Sequence, residues 1–118
     1  MTRHAYIVSI EAPTSDRLQT LQARLSRHGF VVHLIEGVNG PDMRAADYFR
    51  QTLHWRKFKG HTMTPGELGC TRSHQQALRL AAARGGPGHL ILEDDFQASD
   101  AALEWIAQAG ECVPPDTL

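Results

Sequence analysis

Glu93-Asp94-Asp95 places three consecutive carboxylates at the end of the apolar run Leu90-Ile91-Leu92. Acids this close repel one another and retain some protons unless a cation shares the site. Hard oxygen donors of this kind suit Mg²⁺ or Mn²⁺, with substrate phosphates usually completing the shell. The plainer alternative is a solvated acidic turn ahead of a helix. A second set of polar residues lies in Thr64-Pro65-Gly66-Glu67 and, a little further on, Ser73-His74. Free N–H groups at a helix start suit a phosphate, and Gly66 permits close backbone approach. Ser73 can donate a hydrogen bond, and His74 can donate one or carry a proton. Each has an ordinary explanation when taken singly. A helical His is more often a surface or satisfied core residue, and Glu67 is accounted for by capping. Cys70 reads as a small buried residue without a catalytic role. No Walker loop, dinucleotide fingerprint or zinc-ligand spacing is present.

The elements that must position these groups alternate between strand and helix. Tyr6 to Ile10 reads as a first strand, β-branched and apolar. Thr14 and Ser15 are candidate caps for a helix over 15–28 that carries Leu18, Leu21 and Leu25, and Gly29 stops it. Phe30 to Ile35 is a second strand, completing a β-α-β unit. The turn-rich Glu36-Gly37-Val38-Asn39-Gly40-Pro41 follows, and then a short helix over 42–49. Residues 51–63 show no regular pattern. Their basic and aromatic stretch from His54 to His61 suggests anion or nucleic-acid binding, or contact with a membrane surface, but the patch is short. We read it as an exposed loop with Trp55 and Phe58 folded back. Thr64, Pro65 and Glu67 form a capping box for a helix reaching Arg84, with Leu68, Leu78, Ala81 and Ala82 as its apolar stripe. Leu90 to Leu92 is a third, buried strand, and 99–109 a last helix burying Leu103 and Ile106. Beyond it, Glu111 to Leu118 reads as a frayed tail.

These elements predict an α/β sheet in which the acids sit at a strand's carboxyl end, where open sheets bind ligands. If the chain stays extended to Asp95, Glu93 and Asp95 face one side and Asp94 the other. The helix from Pro65 and the acidic strand are joined by a short loop, so they should pack antiparallel. That brings Gly66, Glu67, Ser73 and His74 toward the acids. The 118 residues form one domain, large enough to bury a core. A net charge of -1 gives no drive toward nucleic acid. Cys70 and Cys112 are too far apart to suggest a metal-binding pair and read as free thiols. The N-terminal apolar run is too short for a signal peptide or a membrane span. The chain reads as cytoplasmic, with room for peripheral contact with a membrane.

Four pieces, in order, resemble glycosyltransferase family 25, which includes lipooligosaccharide and collagen galactosyltransferases. They are Ile7-Val8-Ser9-Ile10 with Arg17, the loop Gly37-Val38-Asn39-Gly40, the block Thr64-Pro65-Gly66-Glu67-Leu68-Gly69-Cys70 with Ser73-His74, and Leu90-Ile91-Leu92-Glu93-Asp94-Asp95. The resemblance implies a GT-A-like nucleotide-sugar-binding sheet. It also implies inverting transfer of a sugar, commonly galactose, from a UDP-sugar to a lipooligosaccharide or other glycan acceptor, with Mn²⁺ or Mg²⁺. It implies Asp95 and Glu93 as metal ligands. Ser9, Ile10, Arg17, Gly66, Ser73, His74, Glu93 and Asp94 would be donor-binding residues. Ser9 stands where the family usually has Asn. Family members continue well past the acidic motif, so the acceptor half and the general base are expected to be missing, and no residue is assigned as that base. A noncatalytic nucleotide-sugar-binding or assembly module is the alternative. A sheet cut in this way is expected to expose an apolar edge that a second copy covers.

Overall fold

The computed structural model describes residues 2–60, 63–86 and 88–112. Three parallel strands, β1 (Arg3–Ser9), β2 (Phe30–Glu36) and β3 (His89–Glu93), form a sheet in the order β2-β1-β3. Ala5 is flanked by Val32 and Leu90, and Ile7 by Leu34 and Leu92. Helices α1 (Asp16–Arg27), α2 (Ala45–Lys59), α3 (Pro65–Arg84) and α4 (Asp100–Cys112) complete the described chain, with a short 3₁₀ turn at Gly40–Asp42.

The period of two sorts the strand side chains into two cores. On one face Ala5, Ile7, Phe30 and Leu92 pack against Leu18, Leu21 and Leu25 of α1 and Leu103 and Ala107 of α4. Burying each of these leucines contributes about 1.5–3 kcal/mol. On the other face Tyr6, Val8 and Ile35 pack against Ala77 and Ala81 of α3. The helices therefore cover both faces of the sheet, as parallel strands require.

Local chemistry sets the helix starts. The Ser15 hydroxyl accepts the Leu18 N–H at 3.3 Å and donates to Glu11 at 2.9 Å, capping α1. The Thr64 hydroxyl accepts the Glu67 N–H at 3.1 Å and donates to the Glu67 carboxylate at 3.0 Å. This is a variant of the expected capping box, in which the Glu side chain returns to the cap hydroxyl. At the start of α4, Ser99 accepts the Ala102 N–H at 3.1 Å.

Three expectations are corrected. The region read as a short helix and an irregular loop is one helix, α2, which continues to Lys59. It ends where Gly60 takes a φ of 75°, a left-handed conformation that favours glycine. The basic-aromatic stretch is thus helical over most of its length. Arg56 lies over the Phe49 ring and Trp55 is half-buried, whereas His61 falls outside the described residues. The buried line of α3 is Gly69, Ser73, Ala77 and Ala81, together with Leu68. Leu78 and Ala82 are exposed. The helix approaches the sheet closely through small residues, so its larger apolar side chains mislead. Finally, α4 continues through the start of the expected tail to Cys112; the remainder, with Pro114-Pro115, lies outside the described residues.

Candidate functional site

A crevice of about 350 Å³ opens at the carboxyl ends of the strands, at the lower end of the volumes typical of ligand pockets, roughly 300–1,000 Å³. The chain runs from β1 through α1 to β2 on one side, then crosses through α2 and α3 to β3 on the other. The order of strands reverses between β1 and β3, the place where open α/β sheets bind ligands. Ser9 and Ile10 leave β1 into this crevice. Residues 37–41 form one wall, Gly66, Cys70, Ser73 and His74 of α3 a second, and Glu93, Asp94 and Asp95 close it.

The three acids part company. Strand β3 ends at Glu93, and the Phe96 N–H bonds the Glu93 carbonyl at 3.1 Å across a turn through Asp94 and Asp95. Glu93 points to the α3 face, where its Oε1 receives the Cys70 thiol at 3.2 Å and meets His74 Nε2 at 3.1 Å. Asp94 points the other way. Its Oδ2 accepts the Ser9 hydroxyl at 2.5 Å, and its Oδ1 lies 3.3 Å from Arg17 Nη2. Arg17 is also bonded to Glu11, and the Glu11 N–H donates to Ser9 Oγ at 3.0 Å. Asp95 lines the crevice, is exposed, and is held by no hydrogen bond or ion pair among the described residues. The expected mutual repulsion is thus relieved for two of the acids by protein partners. The expected opposition of Glu93 and Asp94 holds, but a turn rather than an extended strand carries Asp95.

Charge at the site follows these contacts. The hydrogen bonds from Cys70 and His74 hold the Glu93 carboxyl below its usual range, against the opposing effect of burial. The same bond to Glu93 keeps the Cys70 thiol protonated to higher pH than usual, with burial and the carboxylate's charge adding to it. The expectation that Cys70 is buried is corrected, since it is exposed and in contact with an acid.

The wall opposite is fixed by backbone contacts. The Gly37 N–H donates to the Ser9 carbonyl at 2.7 Å. The buried Ser73 hydroxyl accepts the Val38 N–H and donates to the Gly69 carbonyl, each at 2.7 Å. Its donor is therefore already engaged within the wall. Gly40 and Gly69 lie against each other. A Cβ on Gly40 would fall 1.6 Å from the Pro65 carbonyl oxygen, and one on Gly69 would fall 2.5 Å from that of Val38. Gly66 differs, because a Cβ there meets nothing within 4 Å and would project into open space.

The sequence profile of glycosyltransferase family 25 (LPS biosynthesis protein) matches residues 2–112. The chain belongs to glycosyltransferase family 25. No match is found among curated proteins or among solved structures. In this family 25 chain, Ser9, Ile10, Gly66, Ser73, His74, Glu93, Asp94 and Asp95 converge on one crevice. Arg17 does not line it. It lies across Asp94, in an adjoining cavity of about 320 Å³ between α1 and the Asp94–Gln97 turn. Sequence reasoning gave no role to Cys70 and did not pair Gly40 with Gly69. Both roles depend on which turn of α3 faces the loop and β3, and the loop's path is not encoded in a local pattern. The four-residue interval from Cys70 to His74, which puts both on one helical face, was the available signal.

Proposed function

We propose that this chain is the nucleotide-sugar-binding part of a lipopolysaccharide glycosyltransferase, built on a GT-A type sheet, with the donor diphosphate seated at Asp95. Family membership supports the reaction class. The single observation carrying the site is the sorting of the acids. Asp94 is fixed in the wall by Ser9 and Arg17, Glu93 is held by α3, and of the three only Asp95 faces the crevice without a partner among the described residues. An exposed, unpaired carboxylate beside a backbone that permits close approach at Gly66 fits Mn²⁺ or Mg²⁺, whose oxygen shell a diphosphate completes. Glu93 adds its second oxygen, Oε2, to which no described residue is bonded.

When bound, such a cation neutralises charge developing on the leaving diphosphate. The chain's own residues bind and orient. Ser9 and Arg17 hold both oxygens of Asp94, so the incoming phosphates meet Asp95 and the second oxygen of Glu93 rather than three free carboxylates. Residues 37–40 present a rigid surface suited to the nucleoside, because Gly40 and Gly69 lock that loop to α3. In the first turn of α3 Pro65 has no N–H and Thr64 takes those of Glu67 and Leu68, which leaves the Gly66 N–H for a phosphate at the helix start. UDP-galactose is the donor we favour, with a lipooligosaccharide or other lipid-linked glycan as acceptor.

Calorimetry against a panel of UDP-sugars, with and without Mn²⁺, tests this reading. It predicts binding that requires the metal and is strongest for one UDP-sugar. Equal binding in EDTA, or no binding of any nucleotide by the folded protein, contradicts it. The latter result favours a noncatalytic assembly module.

A further inference from the structure

Cys70 and His74 are one helical turn apart on α3, and Glu93 reaches them from the end of β3. The donor groups of all three lie within 4.8 Å of one another. Glu93 Oε1 is 3.2 Å from Cys70 Sγ and 3.1 Å from His74 Nε2. Tetrahedral Zn²⁺, with bonds of about 2.0–2.3 Å, places its ligand atoms about 3.4–3.6 Å apart. Small outward shifts from Glu93, with approach of Sγ and Nε2, convert the present contacts into that arrangement. The two supporting elements already hold the three donor groups together. All three side chains line the crevice, which leaves the fourth position open to it.

We propose that Cys70, His74 and Glu93 form a Zn²⁺ site, distinct in chemistry from the hard-cation position at Asp95. One sulfur, one imidazole nitrogen and one carboxylate oxygen match a borderline-soft divalent ion and disfavour Mg²⁺, which demands six oxygen or water ligands. On binding, the Cys70 thiol releases its proton to solvent and the S–H···O bond to Glu93 is lost. The thiolate, neutral His74 and Glu93 then each donate one lone pair, with no change in oxidation state. Sequence spacing does not reveal this site because the third ligand comes from a separate strand.

The test omits nucleotide and therefore stands apart from the donor-binding proposal. Metal-free protein, reduced with a phosphine, is titrated with Co²⁺. The expected result is a thiolate-to-cobalt charge-transfer band in the near ultraviolet, with visible d–d bands of a four-coordinate ion, saturating at one equivalent and abolished by one equivalent of Zn²⁺. The variants C112S and D95N keep the band and C70S loses it, while circular dichroism shows each to be folded. His74→Ala and Glu93→Gln each weaken Co²⁺ binding by more than the roughly 10–100-fold that loss of a supporting hydrogen bond produces. A wild-type protein without the charge-transfer band, or a band that survives C70S or vanishes in C112S, overturns the site.

Discussion

The two ends of the sheet use polar side chains in opposite ways. At the amino end, rings from all three strands stack on the α3 face: His4 lies 5.2 Å from His33 and 5.4 Å from His89, and Tyr6 lies 5.0 Å from His33. Arg84 Nε donates to Tyr6 Oη at 3.2 Å, Tyr6 donates to His89 Nδ1 at 3.1 Å, and His89 donates to the Gly85 carbonyl at 2.8 Å. Tyr6 is fully buried. The polar atoms of this chain satisfy one another and close that end. At the carboxyl end, the contacts that hold Glu93 and Asp94 leave Asp95 open to the crevice. A parallel sheet brings the open ends of its strands and the starts of its helices to the same side, so unpartnered acceptors and donors collect there. The amino end is closed by its own hydrogen bonds, whereas the carboxyl end leaves an acid exposed at the crevice.

The largest expected effect comes from the glycine contact that holds the crevice wall. Gly69→Ala should destabilise the protein by about 3 kcal/mol, because the new Cβ meets carbonyl backbone that cannot yield without a shift. This reverses the usual sign, since alanine in a helix is favoured over glycine by about 1 kcal/mol. Gly66→Ala is the contrasting substitution. With open space around its Cβ, it should leave stability unchanged or raise it by up to about 1 kcal/mol, and it should weaken nucleotide binding. Urea unfolding of both variants checks the pair, and equal stabilities would remove the argument for a locked wall.

Much of this arrangement is legible in the sequence, and the failures have physical causes. The strands, the exact span of α3 and the Ser15 and Thr64 caps follow from β-branched runs and local side-chain chemistry. The opposition of Glu93 and Asp94 follows from the strand period. Helix α2 was missed beyond residue 49 because its mixed basic and aromatic residues present no clear apolar face. The absence of glycine and proline between Pro41 and Gly60 was the better guide. The fate of Asp95 was not legible, because a tight turn erases the period of two. The tie from Arg17 to Asp94 depends on α1 and β3 meeting across the sheet, which no local pattern encodes.

Ser9→Ala sharpens the carboxyl-end account. It removes the hydroxyl that donates to Asp94 in a largely buried position, so a loss of about 1–3 kcal/mol is expected in chemical denaturation. A neutral outcome means that Arg17 alone suffices to fix Asp94. Ser99→Ala, at the cap of α4 beyond the crevice, should cost about 1 kcal/mol and leave nucleotide binding unchanged.

The smallest effect belongs to the amino end and concerns pH. Burial, then the charge of Arg84, then neighbouring imidazoles lower the pKa of both His4 and His33 below 6.5. The unfolded chain therefore binds more protons than the folded one between the lowered values and about 6.5. Stability should be fully present above that window and fall as the pH drops through it. Substituting His33 by Phe should flatten this dependence in thermal melts recorded from pH 7.5 to 5. A profile identical to wild type would place the titration elsewhere.

Asp95→Asn bears most directly on the proposed donor site, because it preserves shape and removes the one acid of the Glu93–Asp95 run without a partner among the described residues. Calorimetric titration of UDP-galactose in saturating Mn²⁺ should show binding weakened by about 1–3 kcal/mol relative to the unsubstituted chain. Its unfolding free energy should stay within about 0.5 kcal/mol, as for an exposed residue. Unchanged affinity in Mn²⁺, with the fold intact, would contradict the assignment of the diphosphate to Asp95.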